Sequence, residues 1–552
     1  MFVGLQRPLP VSGEKPNDGY TRVAGVVHVH TTKSDGGGTP EEVVAAAKRA
    51  GLGFVAITDH NNLDAKPLEG YRDGVLTLVG TEISTTVGHI VALDLPDPVF
   101  RFSGDGQDAL DDVRDFGAVA FAAHPMSPRA DFRFSGWKLP GPWGLELLNG
   151  DSQWREAGWG RLALTALLYG LNSRYALVRS LSSPDAMLRE WDRMLQERDV
   201  PGIVGADAHD RLPISKRFAP RFPSYESVFG LAQNHVVLDQ PLTQDASVDA
   251  RAVVKALAHG RSYLGIDALA SAADFSFSAE AGGRRFTMGE RAPASGSLRF
   301  RAEGRVPTGT RIVLLKNGRA LTESRDRLEA PANGPGVYRV EAFVPSSSLP
   351  WILTNPIYVF DQAEAAARAG RAAWPTPPEA PTASELLDDF EAKTGFAPGH
   401  DPASKLALPI LDPRGGHDGH GAVRLEFELA EASDANKSPF VAIVRWGKAD
   451  LTGRNGLVFW LRSDGVYRIS VQVRDENPAS ADEGTEWWFA SAKSTPEWRR
   501  IALPFARLRS INPKSDGRLD LDKVRAIVFV MDRGAIKLGS HGTLWIDDVG
   551  FY

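Results

Sequence analysis

Six histidines fall within the first 209 residues, each at or just after a short apolar run: His28, His30, His60, His89, His124 and His209. Carboxylates accompany them. Asp35 lies in a Ser-Asp-Gly-Gly-Gly loop, Asp59 precedes His60, Glu82 follows Gly80-Thr81, and Asp207 stands two residues before His209. His28 and His30 flank Val29, and residues i and i+2 of a strand face one side, so both imidazoles can reach one ion. Mixed imidazole and carboxylate donors suit zinc, manganese or iron, and neighbouring ions are commonly bridged by a carboxylate. His28, His30, Asp35, His60, Glu82, His89, His124, Asp207 and His209 therefore predict a clustered metal centre. The chemistry expected of it is hydrolysis by an activated water, with no protein nucleophile.

The elements that must position these groups are βα units. From Val23 to about Asp267 short apolar runs alternate with helical patterns, as in a parallel sheet. Val26–His30 reads as a strand. Thr39-Pro40-Glu41-Glu42 then supplies an N-cap, a proline at the first helical position and a glutamate three residues after the cap. Phe54–Thr58, Leu76–Val79, His89–Leu93 and Val119–Ala123 follow as strands. Chemistry-bearing residues at the C-terminal ends of barrel strands converge on one mouth.

The run His28-Val29-His30 with Ser34-Asp35-Gly36, Ile57-Thr58-Asp59-His60, Gly80-Thr81-Glu82-Ile83-Ser84, His89, Ala123-His124-Pro125 and Asp207-Ala208-His209 resembles the PHP superfamily, named for polymerase and histidinol phosphatase domains. The resemblance covers about residues 23–265 and implies a distorted (β/α)7 barrel holding two or three metal ions. Carried over by position, it implies one ion on His28, His30, Glu82 and Asp207, a second on Glu82, His89 and His124, and a third on Asp35, His60 and His209. Glu82 then bridges two ions, and Asp59 orients a ligand from behind. Gly144–Gly150 and Pro350–Ile357 are similar to segments of multidomain PHP proteins grouped with carbaryl hydrolase. In the first of these, Glu146 and Asn149 are candidates for the pocket lining or for a plain strand-end turn. Arg129 and Arg133 are candidates for an anionic substrate group, and Trp137, Trp143 and Trp154 for an apolar rim or a packing cluster.

A phosphoesterase is the first expectation, because several cations around one cavity favour an anionic substrate. A carboxylic or carbamate ester hydrolase on the same centre is the alternative. A glycan-binding or scaffold protein with a relic metal site is the reading without catalysis.

Beyond Asp267 the texture changes to alternating strands around Asn317-Gly318, the pattern of a small Ig-like β-sandwich over residues 268–361. It is expected to brace the barrel through Pro350–Ile357. An Ala- and Pro-rich linker occupies residues 362–385. Residues 386–552 read as a β jelly roll. Its ends, Leu387-Asp388-Asp389-Phe390-Glu391 and Trp545-Ile546-Asp547-Asp548-Val549, resemble those of carbohydrate-binding domains. That resemblance implies pairing of the first and last strands, where Glu391 and Asp548 are candidates for a structural calcium ion. Trp446, Trp460, Trp487, Trp488 and Trp498 offer faces for sugar stacking, and most are expected in the core.

Length and composition bound the remainder. A chain of 552 residues exceeds a single core at roughly 150 residues per domain. Lys and Arg number 63 against 69 Asp and Glu, a net charge of −6 that lacks the basic excess of nucleic-acid binders. No apolar run approaches the roughly 18 residues of a spanning helix. Residues 1–22 form a Gly- and Pro-containing tail in which no secretory signal is expected. The chain has no cysteine, which excludes disulfides and thiolate sites and favours a periplasmic or extracellular setting.

Overall fold

The computed structural model describes residues 8–150, 159–212, 218–294, 297–345, 347–480 and 484–552. The chain forms two compact units, one of Met1–Asp97 with Gly104–Pro375 and the other of Pro98–Ser103 with Thr376–Tyr552. Among the described residues no helix is long and apolar enough to cross a membrane.

The first unit is built on a closed ring of strands. These include β1 (Thr21–Val29), β2 (Phe54–Ile57), β3 (Gly70–Arg72), β4 (Val75–Val79), β5 (Thr81–Thr85), β6 (Gly88–Leu93), β7 (Val119–Ala122), β8 (Gly144–Asn149) and β9 (Gly202–Ala208). β1 runs parallel to both β2 and β9, β2 parallel to β4, and β8 parallel to both β7 and β9. Strands buried on both faces carry continuous apolar runs. Val27, Phe54, Leu78, Val91, Phe121 and Ile203 meet in the core. The first helix, α1 (Pro40–Arg49), begins where its sequence placed it: Thr39 caps it and Glu42 completes a capping box.

The ring departs from a uniform (β/α)7 pattern at β6, which pairs antiparallel with both β5 and β7. The hairpin is tight because Gly88 takes φ +106° and a Cβ there would stand 2.8 Å from the Phe134 backbone. Its effect is to return the chain at once to the rim it has just left, with His89 opposite Ser84.

The small β-sandwich expected over residues 268–361 shares hydrogen bonds with the ring rather than standing apart. After β10 (Gln233–Leu238) and β11 (Ser262–Gly265), β11 pairs antiparallel with Ile352–Thr354. Its other layer is a 4-stranded sheet containing Phe275–Ala281 and Arg299–Gly304. Asn355 is fully buried and hydrogen bonds to Gly202 at the start of β9 and to Ser262 on β11. Part of the N-terminal tail joins this layer, with Ser12 bridging Val306.

The second unit is a sandwich of a 7-stranded and a 5-stranded sheet. Its first strand, Glu385–Asp388, pairs antiparallel with its last, His541–Phe551. Pro98–Ser103, which lies in sequence between β6 and the helix Gly106–Asp115, belongs to it: Phe100 bridges Ile536, and the buried Arg468 donates to the Arg101 carbonyl at 3.0 Å.

Candidate metal centre

All nine donors foreseen from the sequence come together at one mouth of the ring. Glu82 is their hub. It is buried on β5, and its Oε2 lies 3.1 Å from His28 Nε2, 3.1 Å from His30 Nε2 and 3.2 Å from His60 Nδ1. Its Oε1 lies 2.8 Å from both His89 Nδ1 and His124 Nε2. Asp207 Oδ1 stands 3.5 Å from His28 Nε2 and 3.4 Å from His30 Nε2. Asp35 Oδ1 faces His209 Nε2 at 3.3 Å, His30 Nδ1 at 3.7 Å and His60 Nε2 at 3.8 Å.

Local backbone conformation aims these groups. The register of β1 slips between Val26 and Val29 against β2, and between Val27 and Val29 against β9. His28 sits in this slip at φ +68°, Asp207 at φ +47°, and His124 at φ +31°. Non-glycine residues in the left-handed region cost of order 1–3 kcal/mol each and are held by their surroundings. A bulge re-aims a side chain that regular pleating would send elsewhere, so His28 and His30 converge on Glu82 through the slip rather than through simple alternation.

The donors fit divalent ions. His28 Nε2, His30 Nε2 and His60 Nδ1 are buried with no hydrogen-bond partner, although Glu82 Oε2 is close to each. Two ligands about 2.1 Å from a tetrahedral ion stand about 3.4 Å apart, near the separations found here. Four donor groups bring ligand atoms within 4.8 Å of one another: His30, Asp35, His60 and His209; His28, Glu82 and His124; His28, His30 and Asp207; and His60, Glu82 and His89. The division implied by the resemblance is blurred: His60 faces both Glu82 and Asp35, His30 also groups with Asp35 and His209, and His28 groups with Glu82 and His124.

Charge within the cluster is strongly coupled. Burial opposes a charged His28, but the Glu146, Asp207 and Glu82 carboxylates outweigh it and hold the imidazole well above its ordinary pKa. Burial likewise opposes ionisation of Glu82, yet His28, His124 and His30 keep it well below the usual carboxylate range. For His124, burial is overcome by Glu82, and the ring is pushed up to about 9. His60 goes the other way, lowered by burial.

Groups around the donors separate into distinct tasks. Asp59 touches no donor side chain. Its carboxylate accepts from the Thr31 N–H and hydroxyl, both at 2.7 Å, and from the Ser34 hydroxyl at 2.5 Å, which fixes the loop carrying Asp35. The Tyr225 hydroxyl, unremarked in the sequence, donates to the His30 carbonyl at 2.7 Å. Glu146 does not line an open pocket; it is buried and 2.6 Å from His28 Nδ1. Asn149 donates to Glu146 at 2.9 Å.

Among the described residues, Phe132 is an aromatic that stands against the donor histidines. Its ring stands edge-on to His89 at 4.9 Å, and the Arg129 guanidinium lies 3.8 Å over its centroid. Arg133 is turned to the Ser127 carbonyl. Trp143 is buried, packs on Phe134 and donates to the Leu139 carbonyl, and Trp137 meets Phe134 edge-on. Trp154 lies outside the described residues.

Comparison with known proteins bears on this centre. The PHP domain family profile matches residues 27–124. An uncharacterized protein of Methanocaldococcus jannaschii is 32% identical over 117 residues, covering 18% of this chain and 67% of that one. The chain belongs to the PHP family. The matched PHP segment contains His28, His30, Asp35, His60, Glu82, His89 and His124. Among solved structures, a two-domain protein of Bacteroides vulgatus described as containing a predicted PHP-like metal-dependent phosphoesterase is 17% identical, covers 64% of this chain and 99% of its own, and has a TM-score of 0.31. A family 11 carbohydrate-binding module from Clostridium thermocellum is 18% identical, covers 30% of this chain and 94% of its own, and has a TM-score of 0.25.

In the second unit the tryptophans divide differently from the expectation that most are core. Only Trp488 of the five is buried. Trp446 and Trp487 are 56% and 38% exposed, with the Arg474 guanidinium 5.7 Å and 4.0 Å from their respective rings. Trp460 carries a stacked His417 at 4.3 Å, and Arg462 lies over Trp498 at 5.2 Å. Glu391 groups with Asp418 and His420 in an exposed cluster, while Asp548 faces His417 at 3.8 Å.

Proposed function

We propose that the protein is a metal-dependent hydrolase of the phosphoesterase class. The observation that carries this reading is Glu82: five imidazoles surround one buried carboxylate, and three of their nitrogens have no hydrogen bond. Divalent ions bound here supply an acidified water and positive charge opposite the negative charge that develops during hydrolysis. His28, His30, Asp35, His60, Glu82, His89, His124, Asp207 and His209 are the residues that hold them. The chain's own contribution is to fix these donors before substrate arrives, through the Asp59 clamp on the 31–34 loop and the Tyr225 bond to His30.

Phosphate is favoured over a neutral ester by Arg129. Its guanidinium stacks on Phe132, whose ring in turn meets His89 edge-on, and a planar fork suits a phosphoryl group. A panel of aryl phosphates with Mn²⁺ or Zn²⁺ tests the reading. Turnover that is lost on chelation supports it, and turnover of aryl esters or carbamates without phosphates overturns it.

The second unit supports glycan binding at the Trp446, Arg474 and Trp487 row, since exposed indoles offer apolar faces and Arg474 a polar edge. Binding of the full chain to a glycan array, abolished by a Trp446→Ala and Trp487→Ala pair, is the expected result.

A further inference from the structure

We infer that Glu146 is a positioning residue that ties two ligands of the metal centre together; the inference rests on the metal-dependent reading above. Its side chain, on β8, is fully buried. One carboxylate oxygen meets His28 Nδ1 at 2.6 Å, and the other accepts the backbone N–H of His124 at 2.7 Å and the Asn149 amide at 2.9 Å. One side chain thereby reaches ligands from two different parts of the ring.

The first bond fixes chemistry as well as place. A carboxylate on Nδ1 assigns the proton to that nitrogen and leaves the lone pair on Nε2. Nε2 is the atom that faces Glu82 at 3.1 Å and Asp207 at 3.5 Å, buried and without a hydrogen bond. The second bond acts on the main chain. His28 and His124 both hold left-handed backbone conformations, at φ +68° and +31°, and Glu146 grips one by its ring and the other by its N–H.

Space is reserved for this carboxylate. On the neighbouring strand Gly205 has no side chain, and a Cβ there would lie 1.9 Å from Glu146 Oε1. A strand-end turn needs no such vacancy. A buried carboxylate on a histidine ring nitrogen does.

Titration of the metal-free full-length protein with Co²⁺, followed by visible absorption, tests the inference in wild type, Glu146→Gln and Glu146→Ala. Glu146→Ala is expected to weaken Co²⁺ binding about 10–100-fold and to change the absorption bands. Glu146→Gln is expected to be intermediate, because its amide oxygen can accept from only part of the set that the carboxylate serves. Equal affinity and identical bands in wild type and Glu146→Ala overturn the inference while leaving the metal-dependent reading intact. Absence of Co²⁺ binding by wild type overturns both. Should Glu146→Ala fail to fold, ¹⁵N-resolved imidazole spectra of Zn²⁺-loaded wild type decide: a proton on His28 Nδ1 supports positioning by Glu146, and a proton on Nε2 with none on Nδ1 overturns it.

Discussion

The carboxamide of Asn355 and the backbone of Gly202 hold each other in both directions: Asn355 accepts the Gly202 N–H at 2.8 Å and donates to its carbonyl at 2.9 Å. The same amide donates to the Ser262 carbonyl at 3.0 Å. Gly202 begins β9, the strand that carries Asp207 near its end and leads to His209. The sandwich layer thus grips β9 at the end opposite to Asp207.

Asn355→Ala is expected to destabilise the first unit by about 2–4 kcal/mol, because buried backbone groups on two strands lose their partner. Metal content below the melting transition should be unchanged, since Asn355 touches no donor. Thermal melts paired with elemental analysis check both halves. Loss of metal without loss of stability would contradict the bracing role.

Glu82→Ala is expected to lower metal content by more than one equivalent relative to wild type, for which two or three are expected, since this carboxylate adjoins five imidazoles. His209→Ala, at the Asp35 side of the cluster, is expected to lose less. Elemental analysis after repletion with Mn²⁺ or Zn²⁺ separates the two patterns.

Arg129→Ala is expected to raise KM for an anionic substrate by about tenfold, the scale of one charge-assisted hydrogen bond, with kcat little changed. A neutral aryl ester, if turned over at all, should be indifferent to the substitution. Steady-state kinetics on the two substrate types provide the comparison.

Asp475 gives the second unit a pH dependence of its own. Burial raises its carboxyl to about 6, although the Asp520 N–H and the Trp488 indole donate to it. A folded-state pKa above the ordinary 3.8 means that the fold favours the protonated form. The associated stability is therefore complete below about pH 4 and lost as pH rises through about 6, a decline of order 1–3 kcal/mol. Carboxyl ¹³C resonances of labelled Asp should include one titrating near pH 6 that disappears in Asp475→Asn. A titration near the ordinary aspartate value would refute the assignment.

The clustering of the donor residues was legible because most of them stand at or beside a strand end, so type and order marked one rim, while Asp35 is carried there by a loop. The role of Glu146 was half legible. The similarity of its segment to multidomain PHP proteins marked it as a candidate beside the reading of a plain strand-end turn, but the space it fills against Gly205 on β9 is a pairing absent from linear spacing. Phe132 gave no signal, being one aromatic among several in its loop. The antiparallel course of β6 was hidden because His89–Leu93 reads as a buried apolar run in either direction. The tryptophans misled for a related reason: alternation shows that two faces exist without saying which one meets the core.

Phe100 and Arg101 carry a consequence for any attempt to treat the last third of the chain as a portable module. Six residues encoded between β6 and its following helix belong to a unit whose strands lie hundreds of positions later. A fragment cut at Thr376 keeps Arg468 and leaves behind the carbonyl that Arg468 binds. A recombination event that moved only the C-terminal segment would separate Ile536 from its bridge to Phe100 and Arg468 from the Arg101 carbonyl.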